Sequence, residues 1–157
     1  MDVLEKFGDG KIRDFNELLR LQLAPWKSAS KKIYNGRCII TNSTQNLVIH
    51  HLNKNFSEIR DEVFLEQNII KENIQYLTLE DAQIIITKIL EKHFQYGYGV
   101  LLDKDIHNEF HAKYGKSNNS TEQFIEFAKT KGHYIQVKQL STGNNKLVNI
   151  GGYYDPE

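Results

Sequence analysis

The sequence predicts an α+β protein on three observations. Apolar residues recur at three- and four-residue spacing in several separate stretches, as amphipathic helices require. Short runs rich in Ile, Val and Leu lie between polar turn-like segments, as strands do. At 157 residues, with 39% hydrophobic and 25% charged content, the chain can bury one substantial core, so a single domain over residues 1–157 is expected.

The elements follow in chain order. Within the N-terminal helical segment, 1–36, residues 14–23 carry the apolar stripe Phe15, Leu18, Leu19 and Leu23. Pro25 interrupts it, and 26–34 predicts a second short helix stopping at Asn35-Gly36. A hairpin is expected over 37–52, pairing 37–40 with 46–50 across the polar loop 41–45. A helical insertion, 53–98, opens with a loop at 53–55 and a helix from Ser57 through Leu65. It continues with a helix capped by Thr78 and striped by Ala82, Ile85, Ile86, Ile89 and Leu90.

The run Val100-Leu101-Leu102 reads as a brief extended segment. Asp103 then caps a closing helix that carries His107, Phe110, His111 and Tyr114 and ends at Gly115, so that the whole segment spans 99–115. The remainder, 116–157, predicts a helix from Thr121 with Phe124 and Phe127 inward, then a hairpin of 133–140 with 146–150.

Composition excludes several function classes. No run approaches the 18–20 apolar residues of a membrane span, and Asp2, Glu5 and Lys6 leave no signal-peptide core, so a cytoplasmic location is the expectation. The single cysteine, Cys38, rules out an internal disulfide and a multi-cysteine zinc site and reads as a buried small hydrophobe. Net charge is zero, where nucleic-acid binders usually carry a basic excess. The charge is nevertheless segregated: eight Lys/Arg face five Asp/Glu over 1–40, three face eight over 57–91, and seven face four over 104–146. Such a pattern can leave one basic face; ordinary solvated helices produce it too.

The histidines carry the chemistry. Four of the six fall in two pairs: His50-His51 at the end of the run Leu47-Val48-Ile49, and His107 with His111 at helical spacing. Consecutive residues of a strand point to opposite faces, so His50 and His51 have different tasks. Residues four apart on a helix lie on one face about 5–6 Å apart at Cβ, so His107 and His111 can converge on one ion. Imidazole both binds divalent metals and titrates near neutrality, which makes metal-assisted hydrolysis the leading expectation. A capped strand end and a solvated helix face form the competing reading. His93 and His133 have no partner at useful spacing.

A β-hairpin with a His-His doublet, followed by a helix bearing His-x-x-x-His, resembles the ββα-metal site of the HNH (His-Me finger) endonucleases. The similarity is greatest to the phage and mobile-element, homing-like members. It rests on Cys38-Ile39-Ile40-Thr41, Leu47 to Leu52, Phe56-Ser57-Glu58-Ile59, Gly99 to Leu102, Ile106-His107, Phe110-His111, Tyr114-Gly115 and Asn118 to Thr121. Leu19-Arg20 and Trp26-Lys27 resemble the stretch that precedes the family's hairpin. The resemblance covers roughly residues 19–127, with the two histidine motifs its most specific part.

The resemblance implies a ββα-metal core with an inserted helical segment and flanking helices. It also implies an endonuclease that hydrolyses DNA phosphodiester bonds, with double-stranded DNA as partner and no membrane. His50, His107 and His111 match metal ligands, and His51 matches the general base that activates water. The cofactor implied is a divalent ion: Mg, Mn, Ni or Zn. The setting implied is a phage-encoded protein in host cytoplasm, or bacterial cytoplasm.

Arg20, Lys27, Lys31, Lys32 and Arg37 are candidate DNA contacts, with a solvated helix face as the alternative. Trp26 and the pair Tyr96/Tyr98 can stack on bases or serve packing. The family's central Asn has no evident counterpart; Asn53 and Asn55 are the nearest substitutes. An inactive DNA-binding or interaction protein on the same scaffold is the alternative function.

Overall fold

The computed structural model describes residues 12–151 of the chain. The helices are α1 (Ile12–Leu21), α2 (Ala24–Ile33), α3 (Phe56–Glu66), α4 (Leu79–Tyr96), α5 (Lys104–Tyr114) and α6 (Thr121–Thr130), with a 3-10 segment at Lys71–Tyr76. The strands are β1 (Leu47–His50), β2 (Val100–Asp103), β3 (Ile135–Gln139) and β4 (Asn145–Asn149). They form two separate antiparallel pairs, β1 with β2 and β3 with β4. Mixed helices and small antiparallel sheets make this an α+β fold. Among the described residues no helix is long and apolar enough to cross a membrane.

By packing the residues fall into two compact units. Among the described residues, one contains 12–26 together with Phe56–Phe94, and the other contains Lys27–Asn55 with 95–151. The first unit buries the α1 stripe, Phe15, Leu18 and Leu19, along with Leu23, and on α4 Ala82, Ile85 and Ile89. Phe15 meets Phe64 at 5.7 Å between ring centroids, and Trp26 meets His93 edge-on at 4.9 Å. Trp26 is thus a core residue. Arg60, a buried guanidinium in this unit, donates to Asn16 Oδ1 and Asp61 Oδ1, each at 2.9 Å, which offsets the cost of burying its charge.

The second unit centres on the apolar run of β2: Val100, Leu101 and Leu102 are fully buried and pack with Ile106, Phe110, Phe124 and Phe127. Cys38 joins this core as a free thiol. The β3–β4 hairpin is fastened through Tyr34, whose hydroxyl accepts from Leu147 N at 2.9 Å; burial pushes its pKa up to about 12. Asn149 donates to the Ile39 carbonyl at 2.8 Å.

The strand pairing differs from the expected hairpin. Residues 37–40 form turns closed by Cys38 N donating to Ser43 O and Asn42 N to Cys38 O, with Asn42 at φ 64. Strand β1 instead pairs with β2, fifty residues later, in the register Leu47↔Asp103 to His50↔Val100. Ile39 adds one bond to Leu101 O at 3.0 Å. The physical reason is burial: Val100-Leu101-Leu102 supplies a strand that sits wholly in the core, whereas 37–40 is flanked by a five-residue polar loop that satisfies its own backbone groups. Chain from α3 through α4 therefore lies between the two paired strands, and α5 follows β2 directly.

Candidate metal centre

Helix α5 begins where β2 ends because Asp103 changes roles there. It is the last strand residue and the N-cap, its Oδ1 accepting from Ile106 N at 2.9 Å while Oδ2 accepts from the Thr41 hydroxyl at 2.7 Å. Lys104 N donates to Asn46 O at 2.8 Å, so the Leu47–Asp103 end of the β1–β2 ladder is pinned to the helix start. This fixes His107, one turn into α5, opposite the end of β1, where His50 emerges.

The three imidazoles His50, His107 and His111 each offer a nitrogen, and these atoms all lie within 4.8 Å of one another. The His50 ring packs 5.2 Å from His107, 5.1 Å from His111 and 4.6 Å from Phe110, centroid to centroid. Its Nε2 is buried and has no hydrogen-bond partner. An orphaned nitrogen of this kind costs about 1–3 kcal/mol unless a ligand satisfies it.

Electrostatics favour the neutral form of two of the three rings. Burial, followed by the neighbouring His107, His111 and His51, pushes His50 down to about 2, and burial with His111 pushes His107 down to about 4. Neutral imidazole is the form that ligates metals. His111 Nδ1 lies 2.7 Å from the Gly115 carbonyl, which can only accept, so Nδ1 carries the hydrogen and Nε2 presents its lone pair. His107 Nε2 stands 3.0 Å from His111 Nε2 and donates to it. That separation already suits two vertices around an ion bonded at about 2.0–2.1 Å. The donor set, the orphaned nitrogen and the fixed tautomer together fit a divalent metal.

A supporting shell holds this arrangement. Gly115 closes α5 at φ 82, and Asn119, itself buried, donates to the same Gly115 carbonyl at 3.2 Å. The loop after the doublet is tied to the segment beyond α5: Asn53 Oδ1 accepts from Thr121 N and its hydroxyl at 3.0 and 3.1 Å, and Asn55 donates to Lys116 O at 3.4 Å. This supporting role of Asn119 is not among the expectations drawn from the sequence. Its cue in the sequence is the run Asn118-Asn119-Ser120, which begins three residues after the helix-ending Gly115.

The remaining sequence candidates occupy other places. His51 is half-buried, outside the three-nitrogen cluster, and near enough for its charge to act on His50. Lys27, Lys31 and Lys32 are exposed on α2, with Lys27 and Lys31 one turn apart, and Arg37 is exposed with a long contact to Asn42 O at 3.4 Å. Arg20, in the first unit, lies over the Phe56 ring at 4.7 Å.

No protein-family model and no solved structure matches the chain. Over 51 residues, 32% of its length, it is 45% identical to an SPbeta prophage-derived uncharacterized protein, YomD, of Bacillus subtilis (strain 168). That match spans 19% of the relative.

Proposed function

We propose that the chain is a metal-dependent endonuclease of HNH type that hydrolyses DNA phosphodiester bonds. The observation that carries this reading is the convergence of His50, whose buried Nε2 lacks a partner, with His107 and His111, while the adjacent His51 stays outside the ligand group. The order β1, β2, α5, with the doublet ending the first strand and the His-x-x-x-His pair on the helix, supports a ββα-metal core with its helical insertion between the strands.

His50, His107 and His111 would hold a divalent ion, which would supply Lewis-acid stabilisation of the charge that develops during hydrolysis. His51 accepts the proton of the attacking water; a new P–O bond forms, the bond to O3′ breaks, the departing oxygen takes a proton from a second water, and a 5′-phosphate and a 3′-hydroxyl remain. Lys27, Lys31, Lys32, Arg37 and Arg20 are the proposed contacts to the DNA backbone. The prophage source of the relative supports a phage or mobile-element setting, acting in host cytoplasm.

The test is cleavage of supercoiled plasmid with Mg²⁺, Mn²⁺, Ni²⁺ or Zn²⁺. Nicking or linearisation abolished by chelator is expected. Binding without cleavage under every metal supports instead an inactive DNA-binding scaffold, the reading that the zero net charge favours.

A further inference from the structure

A cavity of about 310 Å³ opens in the second unit beside the histidine doublet. Its walls include Leu52 and Asn53 directly after His51, Tyr96 and Tyr98 on either side of Gly97, Thr121 and Glu122 at the start of α6, and Asn144, Asn145 and Lys146 at the β3–β4 turn. Leu52 is two residues from His50, so their Cα atoms lie within about 7 Å, the reach of two extended residues. Gly97, between the two tyrosines that line the cavity, has φ 101, a conformation glycine adopts without strain. Lys54 holds its ammonium 6.0 Å from the Tyr96 ring centroid.

The lining has a particular chemistry. Tyrosine rings stack on flat π-systems, the amides of Asn53, Asn144 and Asn145 can pair with the edge of a base, and Lys146 in the lining, with Lys54 beside Tyr96, can meet a phosphate held clear of the Glu122 carboxylate. A volume of about 310 Å³ lies at the lower end of ligand pockets and suits a single nucleotide rather than a polymer segment. We propose that this cavity binds one unstacked nucleotide of the strand being cut, its base against Tyr96 or Tyr98 and its phosphate toward Lys54 or Lys146. The inference rests on the endonuclease reading above and adds a substrate class to it. A base must leave the stack to enter, so mismatched, bulged or single-stranded sites are cut faster than perfect duplex.

The experiment titrates the metal-free chain with deoxyadenosine 5′-monophosphate and, separately, with deoxyribose 5-phosphate, following tyrosine fluorescence and amide NMR shifts. Stacking predicts that the nucleotide binds roughly five- to a hundredfold more tightly than the baseless sugar phosphate. Tyr98→Leu is expected to erase that preference. Asn144→Ala, at the hairpin turn away from the core, is expected to weaken it, and retained Co²⁺ binding at the histidines reports that both variants are folded. Equal affinity for the two probes, or a preference that survives both substitutions, overturns the proposal. Nucleotide preference that follows the substitutions, with no plasmid cleaved under any metal, keeps the cavity as a nucleotide site and removes the nuclease reading. Plasmid cleavage without nucleotide preference keeps the nuclease and removes the cavity.

Discussion

His107 and His111, one turn apart on α5, bring their Nε2 atoms to 3.0 Å, with the His111 ring oriented by the carbonyl of Gly115. The contact is a hydrogen bond from His107; were a divalent ion held here, His107 would carry its hydrogen on Nδ1 so that both Nε2 lone pairs could serve as ligands. Saturation with Co²⁺ or Ni²⁺ at a hundred times its Kd is expected to add about 2.7 kcal/mol of stability. That corresponds to a rise in Tm of roughly 5–10 °C for a chain of this size. Chelator reverses the rise and His107→Ala abolishes it, as thermal unfolding will report. An unchanged Tm for the native chain would place the metal elsewhere.

Acid destabilises this cluster. In the unfolded chain His50 and His107 titrate near 6.5, whereas in the folded protein they are held at about 2 and about 4. The unfolded state therefore binds more protons below pH 6.5, and stability falls as pH drops through that value. The His107 contribution levels off near pH 4 and that of His50 continues toward pH 2. Urea midpoints at pH 7.5, 6 and 5 check this. His50→Met, which places an apolar side chain among Phe110 and Phe124, is expected to make the decline shallower.

Asn119 tests whether the shell behind His111 matters for the ion. Its amide shares the Gly115 carbonyl with His111, and Asn119→Ala leaves that carbonyl less constrained. Supporting residues of this kind typically contribute ten- to a hundredfold in metal affinity. A Co²⁺ titration should show a loss in about that range, larger than the change in Tm explains; an unchanged affinity assigns Asn119 to the turn alone.

Asp103 joins strand to helix, so its loss acts on geometry and stability together. Asp103→Ala removes the N-cap of α5 and the acceptor for Thr41, and is expected to cost about 1 kcal/mol, some 2–4 °C in Tm. Calorimetry measures it directly.

Much of this architecture is legible in the residues themselves. Thr78, Asp103 and Gly115 mark helix ends, and Asp81 N donates to the Thr78 hydroxyl at 3.0 Å as the cap pattern requires. The capping box at α6 uses Ser120 and Gln123, one residue before the start read from Thr121. The C-terminal hairpin follows its alternation because its two strands are neighbours in sequence. Strand β1 was readable as a strand, but its partner was not: propensity at 37–40 is local, whereas the choice of β2 depends on burial of Val100-Leu101-Leu102 across fifty residues of intervening chain. The His50–His107–His111 grouping was visible as spacing. The Asn119 amide and the orphaned His50 nitrogen were not, because both are consequences of packing.

The most direct measurement compares the native chain with His51→Ala in metal-dependent plasmid cleavage, with Co²⁺ binding and DNA binding recorded for both. Since His51 lies outside the three-nitrogen group, the account predicts that the variant binds ion and DNA as the native chain does while cleavage falls by roughly 10²–10⁴-fold, the contribution typical of a positioned base. Native-level cleavage by His51→Ala would contradict it.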